Sequence, residues 1–387
     1  MGSARRRALN ACVGVAATLS VAAGCSASSS NVTVSGSTLT LYASAPASAA
    51  SGQGAADVLA AEQLAFQQAG SQLGNFKLRF VKLSGAKASD NARAAIEDTS
   101  SIAYLGELGP GLSADSLGIT NAQDLLQVTP TDTAAPLTQI NAAVPGSPNR
   151  YYESLSNYGR TFARVVPSTG AEARAQVLQM RALHVSRLYI GDDGSQYGAA
   201  IAHAVKADAQ TAAITVAPSI GGADAVFYGG ASAADAARVF NAAASSNSAV
   251  KLFAPSALDD AAFASRLSAA TRNVYVSSPG FLPRDLTASA QSQFLKPFED
   301  AYHHVPAPQA IFGYEAMSAV LAVLRRAGSS ASDRQTVVHD FFAIRNRSSV
   351  LGSYSINANG DTSLAPFVFS RVSGGKLVPF KFVQAQG

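Results

Sequence analysis

The residues that could do chemistry stand mostly where apolar runs break. In "YLGELGPGLSA" (104–114) the run Ile102–Leu105 ends in a segment with glycines at 106, 109 and 111, followed by Ser113. Glycine lets backbone N–H groups come close to a partner. A helix start beyond it adds unpaired N–H groups and a positive dipole end. Together they suit a small anion such as a carboxylate. The segment lacks the Lys-Ser/Thr of a phosphate loop and the spacing G-x-G-x-x-G, so a nucleotide is not the expected ligand. No G-x-S-x-G elbow occurs, and the cysteines are Cys12 and Cys25 alone. Asp192-Asp193 follows a strand, where it serves as general-acid machinery, contacts solvent or caps the helix at Tyr197. His303-His304 point in different directions on a helix and have no partners at i+3 or i+4, which leaves them on the surface rather than on a metal. His184, His203 and His339 are scattered. No catalytic constellation appears, and neither cofactor nor metal is expected.

The first 24 residues read as an export signal. Arg5, Arg6 and Arg7 precede an apolar run from Ala8 to Ala23, too short for a membrane span. Ala22-Ala23-Gly24-Cys25 resembles a bacterial lipobox with alanine in place of the usual leucine. That resemblance implies cleavage before Cys25 and lipidation of its sulfur, hence an extracytoplasmic, membrane-anchored protein. Residues 25–37 are small and polar and read as a flexible tether.

The chain has 387 residues and a formal charge of +4, three of those charges being the leader arginines. The exported part is near neutral, which argues against a nucleic-acid or membrane-surface patch. It also has no disulfide framework, so its stability must come from a core. With 48% hydrophobic and 14% charged residues it can build one.

From residue 38 strands and helices alternate. Strands are expected at 39–44, 76–83, 102–105 and 125–130. Helices are expected at 54–70, at 89–98 with Ser89 as cap, and at 113–124. The second half repeats the rhythm with strands at 187–191, 223–230, 251–256 and 273–280 between helices at 170–184, 198–210 and 233–245. This spacing implies an α/β protein with parallel sheets covered on both faces. The end differs, with a hairpin over 365–383 turning at Gly374-Gly375. The strands exit into small or glycine-rich segments, and in open α/β sheets ligands bind beyond those ends.

Residues 89–138 resemble the first domain of the periplasmic amino-acid-binding proteins of the branched-chain type. Residues 162–198 resemble their entry into the second domain. "ADAVFYGG", "KLFAPS", "VYVSSPGF" and "IFGYEAMSAVLAVLRRAG" fit later elements in the right order. The resemblance implies a type I periplasmic-binding-protein fold, with two Rossmann-like lobes joined by three crossover strands. The first lobe would comprise 38–164 and 280–350, the second 165–279 and 351–387. It further implies capture of a small carboxylate-bearing ligand, an apolar amino acid being one candidate, and delivery to an ABC transporter permease. Binding without chemistry is the expectation.

Carried over residue by residue, the family's ligand loop falls on Gly109, Pro110, Gly111, Leu112 and Ser113, where backbone N–H groups would hold the ligand carboxylate. Asp132 and Thr133 match the next contact, Tyr197 the second-lobe tyrosine, and Gln53 the place of an aromatic lid residue. Two departures stand out. Ser256 replaces the acidic residue that often holds the ligand ammonium, and Ala231 replaces an aromatic. Asp132 faces the pocket, substituting for that acid and repelling a carboxylate, or caps a turn. Tyr228 and Phe227 read as core, and Phe281 and Tyr314 as possible cleft residues. The alternatives to transport are a sensor that signals ligand occupancy to a membrane receptor and an amidase on the same scaffold, which would need a nucleophile–base pair in the cleft.

Overall fold

The computed structural model describes residues 32–47 and 53–385. The expected leader, Cys25 and the tether up to residue 31 lie outside them, while the end of the expected tether is packed rather than free, with Val34 buried in the first-lobe core and Thr33 paired with Asp333. The first lobe opens with β1 (Thr38–Ser44), α1 (Gln53–Ala69), β2 (Gln72–Leu73), β3 (Phe76–Leu83), α2 (Ala88–Glu97), β4 (Ser101–Leu105), β5 (Leu126–Thr129) and β6 (Phe162–Arg164). Its sheet has the order β2-β3-β1-β4-β5-β6, parallel except for β2. All five residues of β4 are buried, as a central strand with helices on both faces requires.

The chain then enters the second lobe through α3 (Thr169–Ala182) and alternates β7 (Arg187–Asp192), α4 (Gln196–Thr211), β8 (Thr215–Val216), β9 (Ala225–Gly229), α5 (Ala233–Ser246), β10 (Lys251–Ala254) and β11 (Val274–Pro279). It returns to the first lobe for α6 (Ala310–Ala327), α7 (Arg334–Phe342) and the small ribbon β12 (Arg347–Ser349) and β13 (Gly352–Tyr354). It crosses a last time into β14 (Pro366–Ser373) and β15 (Lys376–Gln384), which extend the second sheet to the order β15-β14-β11-β10-β9-β7-β8. Ser373 pairs with Lys376 across Gly374-Gly375, the hairpin turn read from the sequence.

Three sequence expectations need correction. Helix 113–124 divides into a 3-10 turn at Leu112–Asp115 and one short α-turn at Leu117–Asn121. Ser89 lies inside the first turn of α2, whose N-cap is Lys87, with Asp90 accepting the Lys87 N–H at 3.2 Å. The last crossing falls later than residue 351. Tyr354, Ile356 and Leu364 share the first lobe's core with Leu41 and Phe312, and the chain leaves that core only before Pro366.

That core is closed by α1 lying on α6. A Cβ at Gly313 would stand 2.4 Å from the Val58 carbonyl oxygen, so the two helices touch backbone to side chain there. A second core spans the lobes. Leu117, Leu137, Tyr152 and Phe162 of the first pack with Val177, Met180 and Ile201 of the second. Arg164, fully buried at the end of β6, ties together the first-lobe segments beside this junction. Its Nε lies 3.0 Å from Asp361 Oδ1, and its other nitrogens donate to the Asp132 and Ala134 carbonyls at 3.0 and 2.8 Å. Among the described residues no helix is long and apolar enough to cross a membrane.

Candidate ligand-binding site

A cavity of about 600 Å³ opens between the lobes. Its first-lobe wall comes from the start of α1 (Gly54, Ala55, Val58), the β4 exit (Leu108, Gly109, Pro110), Thr131, and Ala307 to Gln309. Its second-lobe wall comes from the β10 exit (Ser256, Ala257, Asp259 to Ala262) and the β14–β15 hairpin (Ser370, Lys376, Leu377, Pro379). Val166 and Pro279 lie at its back, on two of the crossings. Most of this lining is apolar or small. Lys376 is the one cationic side chain among the described lining residues, against the carboxyls of Asp259 and Asp260. Asp260 caps a short helical turn by accepting the Phe263 N–H at 2.7 Å. Burial pushes Asp259 up to about 6, against the pull of Ser278 beside it.

The glycine loop forms as expected, with Gly111 in the left-handed region at φ +85°. What occupies it differs from the expectation. Asp132 reaches into the loop and accepts the Gly111 N–H at 2.7 Å and the Ser113 N–H at 2.8 Å. It also accepts the Ala134 N–H at 3.0 Å. The remaining donors are taken as well. Gly109 N–H goes to Thr131 Oγ1 at 3.1 Å, Leu112 N–H to the Gly109 carbonyl and Ala114 N–H to the Gly111 carbonyl, while Pro110 has none. The anion in this loop is therefore the chain's own carboxylate. Gly111 and Ser113, expected to hold a ligand, hold Asp132, which is fully buried. Burial pushes its carboxyl up, while Arg164 and the three N–H groups oppose the shift. A second carboxylate backs the loop. Glu107 accepts hydrogen bonds from Ser44 and from the Tyr104 hydroxyl, and its N–H goes to Ser113 Oγ at 3.1 Å. Burial pushes Glu107 up to about 7, and Asp132 adds to the rise.

The other strand exit, after β10, has a parallel arrangement. Ser256 stands where an acid was missed from the sequence, yet a carboxylate is present beside it. Glu172 of α3 accepts the Ser256 N–H at 2.6 Å, the Ser256 hydroxyl at 3.0 Å and the Ser277 hydroxyl at 2.7 Å. Burial pushes it up to about 7, against those three bonds. Tyr197 is buried among Thr133, Ser256 and the Ala257 backbone. The hydroxyls of Tyr197 and Thr133 close no hydrogen bond of ordinary geometry.

Of the residues expected at the ligand, Gly109 and Ser256 line the cavity, and Gln53 opens α1 beside the lining residues Gly54 and Ala55. Thr133 and Tyr197 meet behind it in the interlobe contact, and Tyr197 packs on Gly111. Leu112 begins the 3-10 turn after the loop. Asp132 takes the turn-cap role. Phe227 and Tyr228 are core, as read. Tyr314 is buried in the first-lobe core and Phe281 packs against it, so neither appears among the residues of the cavity wall. Asp193 caps α4's approach and accepts the Ala231 N–H at 2.9 Å. His304 pairs with Asp57 at 2.8 Å. The sequence reading missed Glu107 and Glu172. The only local signal for either is an acid inside an otherwise apolar stretch.

Similarity to solved structures decides the fold. A leucine-binding protein, LivK, from Thermotoga maritima superposes with a TM-score of 0.73 at 16% identity, covering 89% of this chain and 99% of that one. The chain has the type I periplasmic-binding-protein fold. An ABC transporter substrate-binding protein from Desulfitobacterium hafniense in complex with leucine gives 0.70 at 19% identity, over 89% and 100% of the two chains. A solute-binding protein of an ABC transporter from R. palustris in complex with benzoate gives 0.64 at 18%, over 90% and 96%. No protein-family model and no curated protein sequence matches the chain.

Proposed function

We propose that this chain is an extracytoplasmic solute-binding protein that captures a small molecule between its lobes and delivers it to an ABC transporter. The observation that carries the reading is the cavity itself. It lies between two lobes joined by three crossings, at the carboxyl ends of both sheets, where ligands bind in open α/β folds. Its volume suits a molecule of the size of leucine or benzoate, the ligands named for two of the similar structures. Its apolar wall suits an apolar side chain or ring. No nucleophile–base pair stands among the described lining residues, so capture rather than turnover is the reading. Closure by bending at the crossings would exclude water and present a closed form to the permease. Lipidation at Cys25 would hold the protein at the membrane.

Calorimetric titration tests this. The full chain is unfolded and refolded to strip retained ligand, then titrated with apolar amino acids, aromatic acids, amides and amines. One or more should bind with a Kd of about micromolar order, and Ala262→Trp, which fills the cavity from an exposed wall position, should abolish it. No binding by any solute, or binding indifferent to Ala262→Trp, would sink the proposal.

A further inference from the structure

The loop after β4 does not present itself to a ligand as an anion site. Each backbone N–H from Gly109 to Ala114 has an internal acceptor, and two of those N–H groups are held by one buried carboxylate. Behind the same loop lies Glu107, and across the cavity lie Asp259 and Asp260. The nearest buried cation, Arg164, is already paired with Asp361 and donates to two carbonyls and the Thr138 hydroxyl. Asp259 and Asp260 are thus the carboxyls of a described lining that offers one lysine, on the exposed turn of the hairpin. A ligand carboxylate entering here would find no free N–H on the loop and would face Asp259 and Asp260 across the cavity, and like charges juxtaposed at an interface cost several kcal/mol.

We infer that Asp132 permanently fills the loop's anion site, so that the cleft takes an apolar ligand whose polar end is a hydrogen-bond donor, an amide or amine, rather than a carboxylate. The inference rests on the solute-binding reading and narrows it. Asp132 acts in place of the ligand's carboxylate. It keeps the loop in shape without a ligand, and it leaves the Gly111 and Ser113 N–H groups nothing to offer an anion from the cavity. Asp259 and Asp260 then supply acceptors for the donor end.

Two readouts test this. In the first, one branched apolar skeleton is presented to the stripped full chain with three ends: isovalerate, isovaleramide and isoamylamine. The carboxylate should bind at least about tenfold more weakly than the better of the other two. In the second, Asp132→Gly vacates the anion site and is offered formate, with chloride at equal ionic strength as control. Formate should raise the thermal midpoint of the variant by about 2 °C or more and leave the wild type unmoved. If the variant does not refold alone, its refolding yield with and without formate is the readout. Carboxylates that bind the wild type as tightly as the amide, or formate that stabilises wild type and variant alike, would overturn the inference. If no member of the series binds the wild type, the solute-binding reading is weakened, and the formate response alone decides whether Asp132 fills the site.

Discussion

The two strand exits that face each other across the cleft are built on one plan and finished differently. After β4, Asp132 closes the loop through three backbone N–H groups and no hydroxyl. After β10, Glu172 closes the turn through one N–H and two serine hydroxyls. Each exit is held by a buried carboxylate from a neighbouring segment. Backbone donors cannot rotate away, so the first exit is fixed in shape. Serine hydroxyls can turn, and beside them the Tyr197 and Thr133 hydroxyls close no hydrogen bond of ordinary geometry. The second exit therefore has donors that could be redirected, and an acid that titrates near neutrality. A buried carboxylate held by backbone keeps its donors, whereas one held by hydroxyls can lose them to a ligand.

This contrast breaks most visibly at Asp132. Asp132→Ala leaves the N–H groups of Gly111, Ser113 and Ala134 buried and unpaired. The expected loss is roughly 3–5 kcal/mol of stability, read by chemical denaturation. Glu172→Gln keeps an acceptor oxygen for Ser256 and should cost about 1–2 kcal/mol under the same measurement at pH 8. Equal losses would mean that the two exits are not different in kind.

The pH dependence sharpens the comparison. Glu107 and Glu172 are both pushed from 4.5 to about 7 by burial. A carboxyl raised in the folded state binds its proton more tightly there than in the unfolded chain. Its contribution is fully present below its ordinary value and is lost as pH rises through about 7. Stability should therefore fall between about pH 5 and pH 8, by on the order of 2 kcal/mol per group. Glu172→Gln should make that slope shallower by one group's share. A profile that rises over this range would show the two acids to be ionised in the folded protein. The smallest effect is expected at Tyr197→Phe. Its hydroxyl closes no hydrogen bond of ordinary geometry among Thr133, Ser256 and the Ala257 backbone, so the change should alter stability by less than about 0.5 kcal/mol without ligand.

Much of this architecture is legible in the amino-acid order. The central strands β1, β4, β9 and β10 are apolar runs that end in or run into small residues, and the β14–β15 turn is written as two glycines. The glycine loop is likewise legible as a place of close backbone approach. What fills it is not. Asp132 lies 21 residues from Gly111 in the chain, and Glu172 lies 84 residues from Ser256. Neither reach follows from local propensity, because both depend on how neighbouring strand exits come together in the sheet. The late crossing at Pro366 was missed for a related reason. Tyr354, Ile356 and Leu364 are apolar in a segment without regular period, and only the packed core assigns them to the first lobe.

The most direct test is a crystal structure of the chain with its ligand bound, read at the backbone nitrogens of Gly111 and Ser113. The account expects both to remain within hydrogen-bond distance of Asp132, with the ligand in the interlobe cavity and no carboxylate on the loop. A ligand carboxylate on those nitrogens, with Asp132 turned away, would contradict it.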